Sequence, residues 1–296
     1  MSTALLKTAL IQMNCSESID DNMSSIANKI EQAAKDKAEL IVLQELHNSR
    51  YFCIEENPVN FDLAETIPGP STELISQIAA EFSVVIVSSL FEKRAPGIYH
   101  NTAVVFEKDG RIAGKYRKMH IPDDPGFYEK YYFTPGDLGF KPVQTSVGKL
   151  GVLICWDQWF PEAARLMSLA GADVLIYPTA IGWDPADSKE EQQRQLDAWL
   201  TIQRSHAIAN NIPVIACNRT GIESTKDLTT DFWGNSFICG QQGEFIARAT
   251  NDEEAILHAT IDLKRTEEVR RIWPYLRDRR IDDYADLSQR FIDKDC

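Results

Sequence analysis

"LGVLICWDQWFPEAARL", residues 150–166, joins two kinds of segment. Leu150, Val152, Leu153 and Ile154 form the apolar run of a buried strand. Pro161 suits the first turn of a helix, Glu162 suits its positive end, and Ala163, Ala164 and Leu166 continue it. Cys155 stands at the corner between them, followed by Trp156, Asp157, Gln158 and Trp159. Strand followed by helix is the unit of layered α/β folds. Such folds gather ligands outside the carboxyl ends of their strands, which is where this thiol falls.

The same alternation extends both ways. "KTALIQMNCS" reads as a first strand, and Ile19, Met23, Ile26, Ile30, Ala33 and Ala34 recur at helical spacing, predicting a helix over 18–37. "AELIVLQEL" is a short buried strand ending at Glu45. "GPSTELISQIAAEF" is a helix opened by Pro70, Ser71 and Thr72, and "SVVIVSSLFE" is another buried strand. "HNTAVVFEKDGRIAGKYRK" is a hairpin ending at Lys118, and Asp109-Gly110 predicts a type I′ turn at its tip. The loop "MHIPDDPGFYEKYYFTPGD" is long enough to be functional, and its aromatics argue for order. Beyond residue 166 come the strand "ADVLIYPT", a helix over 189–209 and the strand "IPVIACN". A hairpin turning at 241–243 and the strand "EAILHATIDL" follow, and then a charged C-terminal segment from about 264. Without linker, low-complexity run or internal repeat, residues 1–296 read as one α/β layered domain.

Composition narrows the function. A formal net charge of −13 argues against nucleic acid and anionic membrane as partners and permits a cationic ligand; solubility alone also explains it. No run of ~18 apolar residues predicts a membrane span, and the N-terminus lacks the pattern of a signal peptide. The six cysteines, Cys15, Cys53, Cys155, Cys217, Cys239 and Cys296, form no C-x-x-C pair, so reduced thiols in a cytoplasm are expected. The five histidines show no i, i+4 pairing, so no metal site is expected.

Glu45, Lys118 and Cys155 each fall just after a buried strand. Singly each has a plain explanation: a core thiol, a cap, a solvated basic face shared with Lys115 and Arg117. Together a base, a cation and a thiol suit acyl transfer to water. A helix N-terminus and a nearby ammonium favour a thiolate. Glu45 is placed to move the proton, and Lys118 with the Trp156 N–H to hold an oxyanion.

"LIVLQEL", "KYRKMHIP" and "GVLICWDQWFPEAAR" resemble, in order, the signature blocks of the nitrilase, or carbon–nitrogen hydrolase, superfamily. The resemblance implies an α-β-β-α sandwich that pairs into a homodimer or higher homo-oligomer, with no cofactor. It places the family's Glu, Lys and Cys on Glu45, Lys118 and Cys155, and a second glutamate on Glu129 in "YEKYYFTPGD". "CWDQWFPEAAR", "YPTAIG", "GNSFI" and "RDRR" further resemble the branch that hydrolyses N-carbamoylputrescine. Asp157 and Gln158 stand where acid-binding members carry arginines, which implies a small cationic carbamoyl substrate. Asp184, where the family typically has Glu, is the first candidate for the amine partner. Asp157 is the second, with a helix N-cap as its other reading. Trp156, Tyr51 and Trp183 are candidates to line the aliphatic path, against plain packing roles for each.

Overall fold

Leu6 and Leu10 face one side of the first strand, Ala9 and Ile11 the other, and all four are buried. A strand buried on both faces needs a layer against each. The same parity separates Leu40 and Val42 from Ile41 and Leu43, and Val85 and Val87 from Ile86. One set packs toward a second sheet and the other under helices. The computed structural model describes residues 5–292; Met1–Ala4 and Cys296 lie outside the described residues.

The first half runs β1 (Leu5–Gln12), α1 (Ile19–Lys35), β2 (Leu40–Leu43), α2 (Pro70–Phe82), β3 (Val85–Ala95), β4 (Ile98–Phe106) and β5 (Ile112–Arg117). A short α3 (Glu129–Tyr132) then leads to β6 (Val143–Thr145), β7 (Gly148–Val152), α4 (Pro161–Leu169), β8 (Val174–Pro178) and β9 (Gly182–Trp183). The long α5 (Lys189–Asn210) precedes β10 (Val214–Cys217), β11 (Thr220–Ser224), β12 (Thr229–Trp233) and β13 (Phe237–Cys239). Last come β14 (Phe245–Arg248), β15 (Ala255–Asp262) and α6 (Arg265–Ile272).

Two six-stranded sheets have the orders β15-β1-β2-β3-β4-β5 and β14-β13-β10-β8-β7-β6. They share a layout. An antiparallel edge strand, β15 or β6, borders three parallel strands, and two antiparallel strands complete each sheet. Helices α1 and α2 cover the first sheet and α4 and α5 the second, while the bare faces meet. This is the α-β-β-α sandwich. Glu45 follows parallel strand β2, and Cys155 follows parallel strand β7.

Several local expectations change. Gly110 N donates to Glu107 O at 2.8 Å, and Gly110, at φ 84°, is left-handed while Asp109 is not. The hairpin tip is therefore a type I turn closed by a left-handed glycine, not a type I′ turn. Cys155 does not open α4: a 3-10 turn, Cys155–Trp159, stands between them. Strands β9, β11 and β12 form a small extra sheet that their polar, glycine-containing sequences did not announce. Among the described residues no helix is long and apolar enough to cross a membrane.

Candidate active site

Lys118 leaves β5 with its backbone clamped on both sides. Its N–H donates to Asn101 O at 2.9 Å, and its carbonyl accepts from Gly136 N at 2.8 Å. A side chain at Gly136 would run into the carbonyl of Arg117, so only glycine lets the chains approach this closely. The Lys118 ammonium is fully buried, 2.8 Å from Glu45 Oε1 and 2.6 Å from Glu129 Oε2. Burial opposes its charge, but the Glu129 and Glu45 carboxylates outweigh that and hold it well above the ordinary lysine range.

Glu45 is anchored through its main chain. Arg219, fully buried, donates Nη2 to the carbonyls of Glu45 at 3.1 Å and Leu46 at 2.9 Å, and Nη1 to Ser49 O at 3.0 Å. Its ion pair with Glu223 is 2.6 Å long, and Glu223 Oε2 accepts from Tyr51 N at 2.6 Å. Leu46, at φ 49°, turns sharply behind the carboxylate. Asn101 Nδ2 donates to Glu45 Oε1 at 2.7 Å, while the buried Oε2 has no partner among the described residues.

Glu129 stands at the start of α3 with Tyr51 Oη donating to its Oε1 at 2.6 Å. Burial raises this carboxyl to about 7, against the pull of Lys118. Cys155 lies at φ 42°, a strained conformation for a residue with a side chain. Its Sγ is 3.8 Å from Ala180 O. Burial, followed by the Glu45 carboxylate, pushes the thiol well above its usual range, although Lys118 pulls it down. Burial and the Glu45 carboxylate thus oppose the thiolate that the Lys118 ammonium favours.

Three of the other predicted residues lie away from the cavity lining, and a fourth lies in it. Asp157 does not face a ligand. Its carboxylate is fully buried and accepts from Tyr116 Oη at 2.8 Å, Ile154 N at 2.9 Å and His120 N at 3.0 Å, with His120 Nδ1 at 2.7 Å. Nor does it cap α4, whose N-cap is Phe160. It ties the residue before Cys155 to the residue two past Lys118. Tyr51 does not line the cavity but backs Glu129. Trp183 packs on Trp233 and donates Nε1 to Gln192 O at 2.9 Å. Asp184 does line the cavity, with one oxygen engaged by Ala186 N at 2.8 Å.

The cavity beside Cys155 holds about 430 Å³. Its apolar wall includes Trp156, Trp159, Phe127 and Trp233, and Glu129 lies at its catalytic end. Asp124, Asp184 and Asp187 add carboxylates, and among the described residues no lysine or arginine lines it. Asp187 is engaged by Gln195 at 2.9 Å; the Asp124 carboxylate pairs with no donor among the described residues. Asn101, Arg219 and Asp124 were not anticipated. Arg219 has the signal used for Glu45, a charged residue just past a buried strand; Asn101 lies within a strand and carries none.

The family described as carbon–nitrogen hydrolase matches residues 7–271. A citrullinase of Francisella tularensis is 41% identical over 97% of this chain and 100% of its own length. An N-carbamoylputrescine amidase of Solanum lycopersicum is 42% identical over 96% of this chain and 95% of its own. A crystal structure of a carbon–nitrogen hydrolase from Helicobacter pylori G27 superposes with a TM-score of 0.94 at 57% identity, covering 97% of this chain and 100% of that one.

Proposed function

The chain belongs to the carbon–nitrogen hydrolase family, the nitrilase superfamily, and we propose that within it the protein hydrolyses N-carbamoylputrescine to putrescine, carbon dioxide and ammonia. It is a cysteine amidohydrolase by family. The observation that carries the substrate reading is the cavity lining, with three aspartates and no cationic side chain. An ammonium at the far end of a four-carbon chain finds opposite charge there, and the aromatic wall suits the methylenes. Citrulline, the compound in the name of the citrullinase relative, carries a carboxylate beside its ammonium, and that carboxylate meets like charge in this lining.

In the proposed reaction Cys155 Sγ attacks the ureido carbon while its proton passes to Glu45 Oε2. Lys118 Nζ and the Trp156 N–H hold the developing oxyanion. A C–N bond breaks, and the leaving amine takes the proton from Glu45. Glu45 then draws a proton from water, whose oxygen attacks the thioester carbon; the C–S bond breaks, the sulfur takes that proton back from Glu45, and the released carbamate loses carbon dioxide to free the second amine. Glu129 keeps Lys118 aimed, and Asp124, Asp184 and Asp187 hold the distal ammonium.

The proposal includes a homodimer or higher homo-oligomer and a cytoplasmic setting. A groove of about 640 Å³ runs between α4, α5 and residues 279–288, where Leu166, Leu169, Tyr284 and Leu287 are exposed. A second copy is the occupant proposed for it. The five described cysteines are all free thiols, in keeping with a reducing compartment.

The test is ammonia release from N-carbamoylputrescine, citrulline, N-carbamoyl-β-alanine and a simple amide, with Cys155→Ala alongside. Preference for N-carbamoylputrescine, abolished in Cys155→Ala, is expected. Preference for citrulline would overturn the substrate reading, and turnover by Cys155→Ala would overturn the mechanism.

A further inference from the structure

Glu45 receives both of its side-chain donors on one oxygen. Lys118 Nζ is 2.8 Å and Asn101 Nδ2 2.7 Å from Oε1, while Oε2 is buried without a partner among the described residues. We propose that Asn101 is a positioning residue that decides which oxygen of Glu45 acts as the base. The proposal rests on the reading of Glu45 as the group that takes the Cys155 proton.

The orientation of the Asn101 amide is set by its neighbours. Its Oδ1 accepts from Ser89 Oγ at 3.1 Å, and Ser89 Oγ accepts from Leu46 N at 3.3 Å. Rotating the amide would aim an acceptor at a carboxylate that only accepts. The residue is fully buried, so it has no water with which to exchange this bond. Its own carbonyl accepts from Lys118 N at 2.9 Å. One side chain on β4 therefore fixes the Glu45 carboxylate, and the same residue's main chain fixes the lysine backbone. An oxygen already holding two donors is the poorer proton acceptor. That leaves Oε2 for the thiol proton, with no swing of the carboxylate between attack and release.

The charged and titratable surroundings of Glu45 come from every packed element. Lys118 follows β5, Glu129 opens α3 and Cys155 follows β7. Tyr51 and Cys53 lie on the segment after β2, and Arg219 follows β10. Asn101 is the neutral member of this set. Removing it takes away a donor without changing charge, so the proton-bound form of the coupled set persists to higher pH.

The experiment uses Asn101→Leu, which keeps asparagine's branching in a larger side chain, and Ser89→Ala, which keeps the amide but releases its lock. Two rates are followed against pH: kcat/KM on N-carbamoylputrescine, and alkylation of Cys155 by iodoacetamide, read by mass spectrometry of the Cys155 peptide. In Asn101→Leu both midpoints move up by about one pH unit, the worth of one hydrogen bond to a charged group, and kcat falls more than KM rises. Ser89→Ala moves them less, in the same direction, and remains informative if Asn101→Leu does not fold. Lower rates with unmoved midpoints in the folded variants would overturn the proposal. A moved alkylation midpoint in a protein that hydrolyses none of the substrates would support Asn101's role while removing the substrate reading.

Discussion

Tyr51 holds one oxygen of Glu129 at 2.6 Å while Lys118 holds the other at the same distance. The phenol is fully buried and bears on no substrate surface. It stabilises Glu129 as a carboxylate by hydrogen bonding, against the burial that raises that group to about 7. Lys118 is thus held by a carboxylate that is itself held.

Tyr51→Phe removes the O–H and little volume. The Glu129 carboxyl is then expected to keep its proton to higher pH, loosening Lys118 near neutrality. The acid limb of kcat/KM moves upward, and activity recovers in part at alkaline pH. A pH–rate profile checks this; equal loss at all pH values would assign Tyr51 to packing alone.

Glu129 also ties stability to pH. Its folded value, about 7, lies above the ordinary 4.5. Between those values the folded state keeps a proton that the unfolded chain has lost, so this contribution falls as pH rises through the window and is constant above it. The decline is on the order of 3 kcal/mol. Glu129→Gln flattens the slope, and urea unfolding at several pH values across the window checks it.

Asp157→Ala would strand the Tyr116 hydroxyl and the N–H groups of Ile154 and His120 inside the protein. A loss of about 3–5 kcal/mol is expected, as for a buried charged partner removed from its donors. Asp157→Asn keeps an acceptor and loses less. Thermal unfolding ranks the two; a loss under about 1 kcal/mol in Asp157→Ala would mean that water replaces the carboxylate.

The aspartates of the cavity are expected to act on binding rather than on chemistry. Asp124→Asn and Asp184→Asn each raise KM for N-carbamoylputrescine by about tenfold, with kcat little changed. Neither alters turnover of a neutral amide. Steady-state kinetics on both substrates separates this from a general defect, which would lower kcat for each.

Much of the architecture was legible because both faces of the central strands are buried. Unbroken apolar runs such as Leu40–Leu43 and Val174–Pro178 leave little choice but a covered sheet. Glu45 and Cys155 each follow a buried apolar run, whereas Lys118 follows β5, a half-buried hairpin arm of mixed sequence. Asp157 was not. A carboxylate two residues past a thiol and four before a helix-opening proline reads equally as ligand or cap, and besides the local Ile154 N–H its donors come from β5 and the segment beyond it, distant in sequence. The shared layout of the two sheets was hidden for a related reason: hydrogen-bond order along a sheet leaves no periodic trace when the side chains filling it differ.

The resting state of Cys155 also bears on durability. Oxidants and electrophiles attack thiolates far faster than thiols. Burial and the neighbouring Glu45 carboxylate both disfavour the anion that peroxide and stray alkylators attack. The same negative surroundings that withhold the nucleophile until a proton acceptor is engaged also shelter it between turnovers. An enzyme built this way gives up a standing thiolate and keeps its sulfur reduced.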